Sequence, residues 1–441
     1  MASTYLTRTF GQAGNRRTFT ISYWVKMGYV STTADGWIMG SGADGSNSDD
    51  LYIHTGRLNF SGYYGSTVYG VRTSAKYRDL SGWYHHVIRF DSTQSTASDR
   101  ARLYVNGELQ TALDSDTYPS QNLETTYINT ARQHTIGASV YGSSIGNFFN
   151  GSISHFHFCD GYSYGADSFG STDSTTGEWK INTSPSVTYG TNGFFILKDG
   201  NSVTDQSPNT NNFTVGGGTL TKTEDNPSNV FATFNPLMHF RQPTPLLNGN
   251  TVIENGDAQW ENGYGTIATP TTGKFYAEFK YPTFGGGAYG HAGIIAVDDI
   301  ATQASGYLNF GDTANSWSIS VTDGSVYNNG SSIATYSSIS ANGIIGLAID
   351  CTNSKLYISV NGTWQNSANP SAGTGGISIT SNKEYFVGGK VYNAYINANF
   401  GNGYFGTTAI TSEGTNASGN GKFEYDVPSG FTALSTKGLN T

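Results

Sequence analysis

The stretch Trp83–Leu109, WYHHVIRFDSTQSTASDRARLYVNGEL, restricts what this chain can fold into more than any other. It reads as a strand over Trp83–Asp91, a polar loop, a second strand over Ala101–Val105 and a tight turn at Asn106-Gly107. Asn-Gly suits a type I′ turn because both residues tolerate positive φ, so the chain must reverse there. The same unit returns downstream. Ile344–Asp350 (IIGLAID) is an apolar strand ending in Asp, followed by a short polar loop, Lys355–Val360 and Asn361-Gly362. One supersecondary unit in each half predicts an architecture with two β centres.

Composition supports that reading. Only 12% of the 441 residues are charged, about half the usual share, and 57 glycines stand beside 29 tyrosines and 24 phenylalanines. Disorder needs few aromatics, so it is excluded; aromatic, β-branched and turn-forming residues together specify short strands with tight connections. Thr18–Met27 alternates as a half-buried strand, and Trp37–Gly40 and Leu51–His54 continue the pattern around a polar loop, Ser41–Asp50. In the second half, Thr272–Phe279 alternates, His291–Val297 reads as a buried strand, and Ala394–Gly401 closes the series. The expectation is an all-β fold with two β-sandwich, jelly-roll-like domains, 1–160 and 246–410, and a C-terminal tail, 411–441. Between them, 161–245 is expected to be a turn-rich segment packed over the first sandwich through Trp179, Phe194, Phe195, Phe231 and Phe234, with a boundary at Pro243-Thr244-Pro245.

A net charge of −9, with basic residues gathered only at Arg8, Arg16, Arg17 and Lys26, gives no patch for nucleic acid. Two cysteines, Cys159 and Cys351, make no disulfide framework. The N-terminal MASTYLTRTF lacks the apolar core of a signal peptide, and no apolar run reaches membrane-spanning length, so a soluble product of a cytosol is expected.

Three sets of motifs carry family resemblance. The order "WYHHVIRF", "RLYVNGEL", "IGAS" and "FFNGSISHFHF" resembles the laminin-G/concanavalin A-like sandwich, a jelly roll of two packed sheets. DGYSYGADSFGSTDSTTGEWK (Asp160–Lys180), YGTNGFF (Tyr189–Phe195), DQSPNTNNFTV and DNPSNVFATFNPL (Asp225–Leu237) are similar to the region after that domain in many tailed-bacteriophage virion proteins. "GKFYAEFK", "IIGLAIDCTNSKLYISVNGTWQNSANP" and "INANFG" resemble a SPRY domain, and PSGFTAL near the C-terminus resembles the ending that follows such domains in phage proteins. The resemblance implies a virion structural component (tail fibre, spike or head decoration), assembled in a host bacterial cytoplasm. Expected partners are other virion proteins, further copies of the chain and a host surface glycan or protein, with no membrane insertion. A lectin-like tail adhesin and a polysaccharide depolymerase are the rival readings. SPRY domains bind peptides, which marks Ile344–Pro370 as a second recognition candidate.

The residues weigh these readings. Retaining glycoside hydrolysis needs two carboxylates roughly 5 Å apart on one face. Here Asp49-Asp50, Asp298-Asp299 and Glu224-Asp225 are adjacent, so they diverge, and a non-enzyme is expected. His155, His157 and Cys159 share one strand face in the sequence pattern, a usable zinc set; the alternative is a sheet face under the covering segment. His85 and His86 point to opposite faces and cannot share an ion. Laminin-G-like sandwiches hold calcium in rim loops, and DGSNSDD supplies Asp44, Asn47, Asp49 and Asp50 as candidate calcium ligands, though all are ordinary turn formers. Tyr63, Tyr64, Tyr69, Tyr141, Tyr289 and Trp364, lying among Gly, Asn and Ser, are the carbohydrate candidates, or equally the anchors of a subunit interface.

Overall fold

A computed structural model describes residues 3–28, 35–198, 202–238, 246–283, 287–301 and 309–440. The chain divides into two compact units, Met1–Lys222 and Thr223–Thr441.

In the first unit the described residues form an eight-stranded and a six-stranded sheet. Thr18–Met27 lies inside the smaller sheet, antiparallel to Tyr84–Asp91 on one side and Gly151–Asp160 on the other. Tyr84–Asp91 then pairs with Ala101–Val105, and Asn106 and Gly107 turn the chain at φ 48° and 84°, the left-handed pair that a type I′ turn requires. Asn106 also ties the turn back, its Oδ1 accepting the His85 amide at 2.8 Å.

The larger sheet runs Leu113–Thr117, Thr67–Thr73, Arg57–Tyr64, Asn47–His54, Asp35–Asp44, Gln133–Ile136, Tyr5–Thr9, Thr214–Gly217. Leu51, Leu58, Phe60, Tyr69 and Val71 turn inward from it to meet Phe19, Ile21, Ile88, Phe90 and Phe158 of the smaller sheet in one core. Each such side chain contributes about 1.5–3 kcal/mol by leaving water. Ser41–Asp50 is therefore not a loop. Pairing continues through Ser41–Asp49 and Gly42–Ser48, and only a tight turn at Gly45-Ser46 interrupts the strands. Ser41 and Asp49 find partners on other strands, while Asp44 caps the turn and Ser48 donates to Asp50 along its own strand.

The covering segment exists, but it stops earlier than expected. Ala166, Phe169, Tyr189 and Phe195 lie over Val87 and Cys159 on the outer face of the smaller sheet, with Trp179 against them. Phe231 and Phe234 belong to the second unit, bridging Ser435 and Gly265. The division thus falls at Lys222/Thr223 rather than near the Pro243-Thr244-Pro245 tract, which lies outside the described residues.

The second unit repeats the plan with a nine-stranded and a six-stranded sheet. Lys274–Tyr281 sits between Gly343–Asp350 and Tyr395–Asn399. Gly343–Asp350 pairs with Lys355–Val360, and Asn361-Gly362 closes that hairpin at φ 47° and 79°, with Asn361 Oδ1 accepting the Ile344 amide at 2.9 Å. The tail is part of this fold. Phe423, Val427 and Phe431 pack with Tyr276 and Tyr357 on the outer face of the nine-stranded sheet, and Thr432–Ala433 pairs parallel with Phe275–Tyr276. Beneath it, buried Glu278 accepts the amides of Glu424 and Tyr425, both at 2.9 Å. Both cysteines are buried free thiols. No helix among the described residues is long and apolar enough to cross a membrane.

Candidate functional site

Strand alternation leaves the eight-stranded sheet with one face on the core and one turned away. On the outer face a register row crosses five strands: Trp37, Tyr52, Asn59, Arg72 and Ser115. Trp37 and Tyr52 stack at 4.7 Å with planes 12° apart, and Arg72 pairs with Asp114 at its edge. The next row is small, with Gly40, Asp50, Ser61 and Gly70, so it forms a trough between aromatic walls. The Ser139–Tyr141 and Ser144–Gly146 hairpin closes part of this face. Its Tyr141 hydroxyl donates to Asp50 Oδ2 at 3.3 Å, and its Ser139 Cα would lie 3.3 Å from a Cβ on Gly40. At the other end stands Tyr63, opposite Ser48 and 39% exposed.

The arrangement sets a flat aromatic stack, an amide, a guanidinium and one carboxylate on one sheet face, with Tyr52 and Arg72 partly exposed and Trp37, Asn59 and Asp50 buried beside them. Ser48 Oγ donates to Asp50 Oδ2 at 2.6 Å. Burial nevertheless pushes Asp50 up to about 6, since a carboxylate this deep loses more hydration than its donors return. Aromatic faces accept the C–H faces of sugars, and fixed amide and charged groups orient hydroxyls.

Of the predicted sugar residues, Tyr63 and Tyr141 stand on this face. Tyr64 and Tyr69 do not. Both point inward and donate to Asp49 Oδ1, at 2.5 and 2.8 Å, and Tyr69 is fully buried. Trp364 is half-buried edge-on against Tyr276, beside the aromatic cluster under the C-terminal segment. Tyr289 is 45% exposed in the second unit.

The four calcium candidates are separated by the hairpin. Asp44 caps the turn, accepting from the Ser46 amide and the Asn47 side chain at 2.8 and 3.0 Å. Asp49 faces the interior, where Tyr64, Tyr69 and the amides of Tyr127 and Ile128 saturate it. Asp50 faces the opposite way. Strand alternation parts what sequence adjacency joined.

The histidine set is also taken up by packing. A bulge falls between Ser154 and His157, with His155 at φ 47°, so the even spacing in sequence does not give one continuous face. His155 Nδ1 meets Ser154 Oγ at 2.8 Å, and His157 Nδ1 meets the Tyr189 hydroxyl at 2.9 Å while its ring stacks on Phe195. Cys159 lies beneath the covering segment, its thiol pushed up by burial. His85 is held between Trp24 and Trp179, which donates its indole N–H to Nδ1 at 3.0 Å; His86 turns to Tyr23 on the inner side. Among the described residues no group of three His, Cys, Asp or Glu could hold a metal.

Arg16 and Arg17 pair with Glu124, Arg8 donates to Asn211 and Asn212, and Lys26 is buried. They are spent on local contacts rather than on a basic edge. In the Ile344–Pro370 segment both strands are largely buried, and the face carrying Tyr357 lies under the chain's own Phe423–Phe431.

Residues 2–162 match the model of the concanavalin A-like lectin/glucanases superfamily. Among solved structures, the SPRY domain of human HERC1 is 15% identical, covering 37% of this chain and 96% of that one at a TM-score of 0.30. A SAP-like heptameric pentraxin from Limulus polyphemus is 15% identical over 36% and 70%, with a TM-score of 0.27. The CBM40 of Ruminococcus gnavus IT-sialidase, solved with α2,3 sialyllactose, is 14% identical over 35% and 89%, with a TM-score of 0.24. No curated protein matches.

Proposed function

We propose that this chain is a non-enzymatic binding protein whose first unit takes a glycan across the outer face of its eight-stranded sheet. The observation that carries the reading is the Trp37–Tyr52 stack set in register with Asn59 and Arg72 on the outer face of the sheet, where Tyr52, Arg72 and Tyr63 reach solvent while Trp37 and Asn59 are buried beside them. The concanavalin A-like match over the same unit agrees with a binding role. What favours binding over hydrolysis is the divergence of Asp49 and Asp50, which leaves Asp50 without the second carboxylate that retaining catalysis uses. The setting we propose is a tailed-phage virion, where the chain would act as a structural and adhesive component with its partners in the particle and on the host surface. The motif series from Asp160 to Leu237 supports that setting.

Binding to a mixed glycan array, followed by titration of Tyr52→Ala and Arg72→Ala, tests the site. Each substitution is expected to weaken binding roughly tenfold, the loss typical of one well-placed contact. Undiminished binding in both variants, or release of reducing ends during incubation, would count against the reading. Antibody labelling of intact particles tests the setting: label on fibres or tail tip supports adhesion, label across the head supports decoration, and no label removes the virion proposal.

A further inference from the structure

The six-stranded sheet of the second unit carries two consecutive register rows of opposite character on the face turned away from its core. The first row crosses three strands, with Trp260 paired to Tyr392 and Tyr392 to Tyr289. The rings gather with centroids 5.6 Å (Trp260–Tyr392), 5.9 Å (Tyr289–Tyr392) and 6.3 Å (Trp260–Tyr289) apart. Their in-strand neighbour Val391 faces the core instead, so packing of the sandwich does not require these rings. Three large rings on the solvent side of a sheet, one of them 45% exposed, are an expensive surface for a chain to keep without use.

The second row is polar and crosses four strands: Asn262, Lys390, His291 and Ser320. Lys390 Nζ lies 4.8 Å from the centre of the Trp260 ring and 3.8 Å from Asp312 Oδ1. Asn262 donates its amide to Asn309 Oδ1 at 3.2 Å, and its own Oδ1 is a buried acceptor with no hydrogen-bond partner among the described residues. Leaving such an acceptor unmade costs about 1–3 kcal/mol. Rows on one strand face are about 7 Å apart, close to the span of one pyranose ring.

From this juxtaposition we propose a second ligand site, independent of the first unit's face, that takes an uncharged pyranose of a glycan. The sugar's C–H face lies on Tyr289 and Trp260, and its hydroxyls meet the Asn262 amide and the Lys390 ammonium. Charge decides against an ionic ligand. Lys390 is already matched by Asp312, and Asp323 adds a second carboxylate acting on His291, so an acidic sugar is repelled while a cationic group meets Lys390. A peptide strand would have to pair with a sheet edge. Trp260, Tyr392 and Tyr289 present side chains instead, on the face of three adjacent strands, with Trp260 on the edge strand and Tyr392 and Tyr289 on the two strands inside it.

The test is saturation-transfer NMR and titration of the full chain with maltohexaose, cellohexaose and chitohexaose, beside sialyllactose and polygalacturonate as charged probes. At least one neutral oligosaccharide is expected to bind, and Tyr289→Ala and Asn262→Ala each to weaken it roughly tenfold. Tyr52→Ala and Arg72→Ala, in the first unit, are expected to leave that binding unchanged, so failure here and failure of the first site read separately. An unchanged melting temperature of Tyr289→Ala shows that the fold is kept. The proposal is overturned if no neutral probe binds below about 10 mM, weaker than any useful contact, or if the charged probes bind better. It is overturned equally if Tyr289→Ala binds as wild type, or if that variant converts an oligomer to monomers in sedimentation, which would make a second copy the occupant.

Discussion

At the scale of single residues, Asp49 and Asp50 show how neighbours in sequence acquire different work. Asp49 is an internal fastening: two tyrosine hydroxyls and two backbone amides converge on it from the Arg57–Tyr64 and Thr67–Thr73 strands and the 127–128 loop. Asp49→Ala would strand all four donors in the interior, and an expected loss of about 3–5 kcal/mol follows from leaving several buried polar groups unmade. Asp44→Ala, in an exposed turn, should cost about 1 kcal/mol or less, and urea midpoints of the two variants check the contrast. The same geometry predicts that millimolar calcium, or its removal by chelator, leaves the melting temperature unchanged, since a bound ion would raise it by mass action. In the sequence the acidic cluster looks like oxygen ligands. That Tyr64 and Tyr69 spend their hydroxyls on it depends on cross-strand register, which composition does not disclose.

Among elements, the two Asn-Gly hairpins are alike in more than their turns. In each, the asparagine side chain accepts an amide of the partner strand, and the glycine lies under an aromatic ring from a later segment. A Cβ on Gly107 would fall 2.5 Å from the Trp179 ring, and one on Gly362 would fall 2.5 Å from the Tyr425 ring. Gly107→Ala and Gly362→Ala therefore meet both a left-handed φ and a displaced ring; each is expected to cost about 2 kcal/mol or more, read as a lowered thermal midpoint. These turns were legible because Asn-Gly between strands has one main use. The lids were half legible: Trp179 stood out as an anchor, whereas Tyr425 sits in a tail that gave no sign of folding back. Trp37, Tyr52, Trp260 and Tyr392 were missed for a related reason. Each is an ordinary alternating aromatic along its own strand, and only register across separate strands gathers them into surfaces.

For the molecule as a whole, buried titratable groups give the two units different responses to acid. In the first unit burial holds His85 and His86 down to about 3 and His134 down to about 4, and His157 also lies well below the ordinary histidine range. A histidine depressed in the folded state favours folding above its unfolded value near 6.5, and that contribution is lost as pH falls from there toward 3. At pH 5 His85, His86 and His134 each forfeit about 2 kcal/mol by this linkage, and His157 acts in the same direction. Asp49 and Asp50 act the other way, both raised by burial, so folding gains from them on acidification, from Asp50 as pH drops through about 6; two carboxylates stand against four imidazoles. In the second unit His291 is depressed by burial, but it stands alone against Glu278, which burial beneath the tail pushes up to about 7 and which acts in the opposite direction. The first unit should therefore open first on acidification. Hydrogen exchange followed by mass spectrometry at pH 7 and pH 5 checks this: exchange is expected to rise sharply in Thr18–Met27, Tyr84–Asp91 and Gly151–Asp160 at pH 5, while Lys274–Tyr281 and Gly343–Asp350 hold. Equal loss of protection in both units would show that the buried imidazoles do not govern acid stability, and loss in the second unit first would reverse the assignment.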